Sequence, residues 1–151
     1  MLMKKHFTAC LVVAGVVAGC AAPAPRLQTA SGNPEIVIPN VSKKQVIEKI
    51  VAAKLEKGMQ VRSVTDYGVV VAKKVDNSFM ASFLYGSRYD STPEARIHYN
   101  VVQSGSGVKV FSRTEMVTNP GGGFERTSDV TSSIGTQMQA ELEELKASLE
   151  R

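Results

Sequence analysis

Two segments with a helical apolar period bracket a stretch in which the period drops to two. The first runs from Ser42 to Lys57, and the second from about Thr127 or Ser128 to near the end of the chain. This change of period constrains the fold more than any other feature. A period of 3.6 buries one stripe of a helix, whereas a period of two buries one face of a sheet. A sheet with one apolar face needs a cover, and two amphipathic helices can provide it.

The start of the first helix is well marked. Ser42 and Gln45 have the spacing of a capping box, and Val41 with Val46 that of a hydrophobic staple. Val46, Ile47, Ile50, Val51 and Leu55 give an apolar stripe, and Gly58 stands where a left-handed residue would end the helix. The β-branched runs Met59–Val64 and Val69–Val75 then flank the turn Thr65-Asp66-Tyr67-Gly68. Asp76-Asn77-Ser78 turns into a third strand, Phe79–Tyr85, and the loop Gly86–Pro93 leads to Ala95–Gln103. A tight turn, Ser104–Gly107, returns the chain into Val108–Val117. Short connections between successive strands predict an antiparallel meander.

Asn119-Pro120-Gly121-Gly122-Gly123 breaks this pattern. In the second helix, Val130, Ile134, Met138, Leu142, Leu145 and Leu149 form one seam, with Glu141, Glu143, Glu144, Lys146 and Glu150 opposite. The expected fold is α+β, a two-layer domain of helix, five-stranded antiparallel meander and helix. Both helices should lie on one face of the sheet.

The N-terminus carries a different kind of signal. Lys4 and Lys5 precede an apolar run, Phe7–Ala18, interrupted only by Thr8, and small residues lead into Cys20. This is the layout of a secretory signal peptide, with an apolar run too short for the ~20 residues of a membrane span. Val17-Ala18-Gly19-Cys20 resembles the lipobox of bacterial lipoproteins position by position. The resemblance implies cleavage between Gly19 and Cys20 and acyl chains on the new N-terminal Cys20. Ala21 follows where Asp would favour inner-membrane retention in enterobacterial lipoproteins, which implies the outer membrane, facing the periplasm. The chain then divides into a signal peptide (1–19), lipidated Cys20 with a tether (20–34), and one periplasmic α+β domain (35–151). Three prolines and four alanines in residues 21–34, without an apolar period, are the reason for reading a tether. The order helix–meander–helix is also similar to the helix-grip domains of envelope lipoproteins, a likeness of element order with no residue motif behind it.

Removing residues 1–19 takes away Lys4 and Lys5 and leaves 132 residues with 16 basic and 14 acidic side chains. That near balance, without a basic stripe interleaved with aromatics, argues against nucleic acid as a partner. Cys10 leaves with the signal and Cys20 is the lipid attachment point, so no thiol remains for a disulfide, a nucleophile or a zinc site. One histidine in the mature chain does not make a common metal-ligand set, and the acidic residues lack calcium-loop spacing. No metal and no cofactor is expected.

Catalytic signals are sparse. His98 is the one mature residue of the type suited to acid–base work near neutral pH, but no nucleophile stands at a telling spacing and no Gly-x-Ser-x-Gly elbow exists. Gly121–Gly123 lacks the Lys-Ser/Thr of a phosphate loop and reads as a connector. Arg62, Lys73, Arg96, His98, Lys109 and Arg113 are spread over several strands, and strand parity would gather most of them opposite the helices. Such a face suits a protein partner or a surface of the envelope. The leading expectation is a non-enzymatic lipoprotein, anchored to the membrane through Cys20, that binds or scaffolds another envelope component. The alternatives are a small envelope enzyme or inhibitor using His98, Tyr99 or the loop Arg88–Ser91, and an accessory lipoprotein of a secretion or conjugation channel.

Overall fold

In the computed structural model, residues 27–75 and 92–151 are described. The elements run β1 (Glu35–Pro39), α1 (Lys43–Glu56), β2 (Gln60–Thr65), β3 (Gly68–Lys74), β4 (Glu94–Ser104), β5 (Gly107–Thr118), β6 (Arg126–Asp129) and α2 (Thr131–Leu149). Cys20, the expected strand Phe79–Tyr85 and the loop Arg88–Ser91 lie outside the described residues.

α1 begins and ends as its sequence dictates. The Ser42 hydroxyl accepts from the Gln45 N–H, and the Gln45 side chain accepts from the Ser42 N–H, closing the capping box. Gly58 takes φ +71°. Its N–H donates to the Leu55 carbonyl at 2.9 Å and the Met59 N–H to the Lys54 carbonyl at 3.0 Å. Those two bonds make a Schellman termination, which a glycine at this position adopts without a Cβ clash.

The sheet is antiparallel, in the order β1-β5-β4-β3-β2, with β6 also on β5. β1 pairs with Gly107–Phe111 and β6 with Glu115–Thr118, so the two short strands follow one another along the same free side of β5. Both differ from the sequence expectation. β1 has only Ile36 and Ile38 on the buried face, with Val37 between them 46 % exposed, too short a run to show a period. β6 occupies residues expected to open the second helix. Pairing Arg126–Asp129 with β5 satisfies backbone groups that a longer helix would leave open along that edge, and α2 therefore starts at Thr131. The Asp129 carboxylate accepts from the Thr131 N–H at 2.8 Å, serving the helix start where Val130 has no capping side chain.

One core joins sheet and helices. Ile36, Ile38, Val69, Val71, Ile97, Tyr99, Val101, Val108 and Val110 share one face of the sheet by register. They cluster with Val46, Ile47 and Ile50 of α1 and with Met138 and Leu142 of α2. Both helices thus draw on the same sheet face. The α1 stripe departs from expectation at its end: Leu55 is 54 % exposed, and Lys54 is buried in its stead.

Residues 27–34, expected as part of the tether, sit on the domain. Leu27 lies over Gly135 of α2, where an added Cβ would come within 3.1 Å of its Cδ1. The Gln139 side chain accepts from the Glu35 N–H at 2.9 Å and donates to the Glu35 carbonyl at 3.1 Å, which clips the start of β1 to α2.

Candidate functional site: the open face of the sheet

The face turned away from the helices carries the charges. Register aligns Arg96 with Glu115 and His98 with Arg113, all on strand positions of one parity, alternating with the core residues Ile97 and Tyr99. Arg96, His98, Lys109 and Arg113 therefore stand on the open face, as strand parity predicts. Arg62 joins them from the register shift in β2 by reaching Glu94. Lys73 does not. It shares its parity with Val69 and Val71, and its ammonium donates to the Lys57 carbonyl at the end of α1, at 3.3 Å.

Two charge clusters occupy this face. In the first, Glu94 is 1 % exposed and is held by the guanidinium groups of Arg62 and Arg96, the latter at 3.2 Å. Arg96 also pairs with Glu125 at 3.3 Å. The Gly121 N–H donates to the Glu125 carboxylate at 2.8 Å. That backbone hydrogen bond, followed by Arg96, holds the Glu125 carboxyl below the usual range. In the second cluster, His98 Nε2 is 3.1 Å from Glu115, and Arg113 bridges Glu115 at 3.1 Å and Asp129 at 2.9 Å. Hydrogen bonding from Thr131, then from Arg113, keeps the Asp129 carboxyl low.

Between β2, β4 and the loop 119–125 these side chains line a groove of about 830 Å³. Arg62, Ser63 and Val70 form one wall, Arg96 and His98 the floor, and Gly121 and Glu125 part of the other wall. Its lining is charged, and its fixed positive and negative groups are already matched to one another. An arrangement of this kind recognises a partner by position of charge rather than by net charge. Further along the face, Lys109 pairs with Glu35 at 3.1 Å and lies 4.8 Å from the centre of the Phe111 ring.

Among the described residues the geometry gives no nucleophile–base pair. Among the same described residues the side-chain partner of His98 is Glu115 and not a hydroxyl. Tyr99, the other expected candidate, points to the opposite face and is 3 % exposed. Burial, then the charge of Glu141, pushes its phenol well above the ordinary range, the reverse of what an acid–base role near neutral pH requires. Among the described residues no group of three or more His, Cys, Asp or Glu is placed to hold a metal ion. Also among them, no helix is long and apolar enough to cross a membrane.

Glu94, Glu115 and Glu125 were not singled out by the sequence. Glu115 had a usable signal, an acid directly across the strand pair from Arg96. Glu125 had none, because its role depends on how the loop after β5 folds back onto Arg96. No family model matches this chain, and no curated protein matches it.

Proposed function

We propose that this protein is a lipoprotein of the bacterial cell envelope, held by acyl chains on Cys20 and facing the periplasm from the outer membrane. Its domain binds another envelope protein through the sheet face opposite the helices and catalyses no reaction. The observation that carries this reading is the groove walled by Arg62, Ser63 and Glu125, with the buried Glu94 bracing Arg62 and Arg96 from beneath. A buried carboxylate holding two guanidiniums fixes their positions before any partner arrives, which lowers the ordering cost of docking. The lipobox at Val17–Cys20 supports the anchor.

Site-specific photo-crosslinking in intact cells tests the reading. A photoreactive residue at Ser63 or Lys74, both exposed at the groove, should capture one discrete partner. The same group at Lys49, exposed on α1, should not. Equal capture from all three positions, or capture from Lys49 alone, would remove the open face as the docking surface.

A further inference from the structure

The two carboxylates of the groove are engaged at every oxygen, while two of its cations are not. One oxygen of the buried Glu94 accepts from Arg62, and the other accepts from Arg96 Nε and Nη2 at 3.3 and 3.2 Å. Glu125 accepts from the Gly121 N–H on one oxygen and from Arg96 Nη1, at 3.3 Å, on the other. Arg96 thus uses all three of its nitrogens. Arg62 differs. It gives Glu94 only Nη2, its side chain is 46 % exposed, and its Nε and Nη1 have no partner among the described residues. Most of its donor fork is open, and such a fork takes a carboxylate through parallel hydrogen bonds. Lys74, exposed at the same groove, makes no ion pair or hydrogen bond with a described residue.

Register brings these two cations together. Lys74 stands directly across from Glu94 in the β3–β4 pair, on the parity of Arg96. Opposed strand positions hold their Cβ atoms about 5 Å apart. The Arg62 guanidinium, fastened to Glu94 from β2, therefore lies beside the root of the Lys74 side chain. Three fixed cations, Arg62, Lys74 and Arg96, face two carboxylates, Glu94 and Glu125, and one positive charge is left over. A single charge suits a carboxylate better than a phosphate group, which carries nearly two.

We infer that the groove receives an acidic segment of the docked envelope protein, with one carboxylate held between the Arg62 guanidinium and the Lys74 ammonium. This rests on the docking reading above and gives the partner its chemistry. Glu94 is the positioning residue: it fixes Arg62 from beneath and leaves the outer part of the fork open.

The probe is fluorescein-labelled hexaglutamate, followed by anisotropy on the full lipidated protein in neutral detergent micelles. The parent should bind it, and unlabelled hexaglutamine should not displace it. Lys74→Glu should weaken binding by about tenfold or more, since a like charge then faces the peptide. Lys74→Arg keeps the cation and should bind about as well as the parent. Lys49→Glu makes the same change of net charge on the exposed side of α1 and should also bind as the parent does. No binding by the parent, or equal losses from Lys49→Glu and Lys74→Glu, would overturn the site. Displacement by inorganic phosphate at equal concentration would show a general anion site and overturn the choice of an acidic segment. The crosslinks report the docking reading separately. Capture from Ser63 in cells without peptide binding removes the acidic contact alone. Peptide binding without capture from Ser63 or Lys74 keeps the carboxylate seat and removes the docking reading.

Discussion

Lys54 of α1 and Glu141 of α2 form an ion pair across the helix seam, with side-chain exposures of 8 % and 22 %. Lys57 adds a second ammonium to the same carboxylate at 3.2 Å, and the Lys54 ammonium also lies 5.4 Å from the centre of the Tyr99 ring. The pair joins the two helices at a position where an apolar contact would be expected. Its two halves are not equivalent: Glu141 has a second cation, while Lys54 is the buried member.

That asymmetry sets the first prediction. Glu141→Gln leaves the Lys54 ammonium buried without its counter-charge. Breaking a fully buried pair costs about 3–5 kcal/mol, and the partial exposure of Glu141 reduces this to roughly 1–3 kcal/mol. Lys54→Met removes the buried charge itself, leaves Glu141 with Lys57, and should be close to neutral. Urea denaturation of the three proteins checks the order. Equal losses from both variants would show that the pair acts as a simple symmetric contact.

Acid should weaken the fold through the same carboxylate. Burial pushes the Glu141 carboxyl up, but Lys54 and Lys57 outweigh it and leave it below the usual range. Asp129 is also lowered, by hydrogen bonding from Thr131 and by Arg113. A carboxyl with a lower value folded than unfolded contributes stability that is complete above the unfolded value, about 4.3 for Glu. That contribution disappears as pH falls through the folded value. Urea midpoints should thus be flat from pH 7 to about 5 and decline below about 4. Glu141→Gln should decline less steeply over that acid range than the parent, and parallel curves would remove Glu141 as a contributor.

The core predicts a contrast between two leucines that the sequence treats alike. Leu142 is 1 % exposed in the cluster under the sheet, and Leu142→Ala should cost about 2–5 kcal/mol. Leu55 is 54 % exposed, and Leu55→Ala should change stability by no more than about 0.5 kcal/mol. Thermal melts distinguish these outcomes directly.

Leu55 and Lys54 also mark how far the sequence can be read. Local rules located α1 well, because a capping box and a Schellman glycine act within a few residues of the helix they delimit. The same stripe, continued by period alone, selects Leu55. The helix end instead turns Lys54 inward, where Glu141, 87 residues away, makes its burial tolerable. β1 and β6 were invisible for a related reason. Each is defined by the free side of β5 and not by a period of its own, and four or five residues show no alternation that a loop could not also show. On the open face, parity gave Arg96, His98, Lys109 and Arg113 correctly from their own strands. Lys73 failed because the sequence did not say which parity of β3 faces the helices. Glu94 gave no sign that its carboxylate would be buried under two arginines.

Lipidation should depend on Cys20. Cys20→Ser should abolish metabolic labelling with a fatty-acid analogue and shift the protein out of the membrane fraction. Cys10→Ser should leave the mature product unchanged, since the proposed cleavage before Cys20 removes Cys10 with the signal. One acyl chain gives only marginal binding, so loss of the whole lipid group should release the domain rather than merely weaken its hold. Label retained on the Cys20→Ser protein would remove the lipoprotein reading.

The partner-binding reading also requires that the domain work without its histidine. His98 is 32 % exposed on the groove floor and contacts Glu115, which keeps Arg113 as a second cation at 3.1 Å. His98→Ala therefore leaves the cluster on this face paired, and a surface pair, here half-buried, is worth about 0–1 kcal/mol. Fold, membrane sorting and the pattern of photo-crosslinks from Ser63 should all survive the change. Arg96→Glu behaves differently, because it sets a carboxylate against the buried Glu94 and releases Glu125, and should lower stability as well as crosslinking. Lys74→Glu is the better probe of docking, since Lys74 is exposed at the groove. It should reduce crosslinking at Ser63 while the urea midpoint stays near that of the parent. A His98→Ala protein with an unchanged circular-dichroism spectrum, unchanged crosslinks and a null phenotype in cells would reverse this ranking and make His98 a catalytic residue.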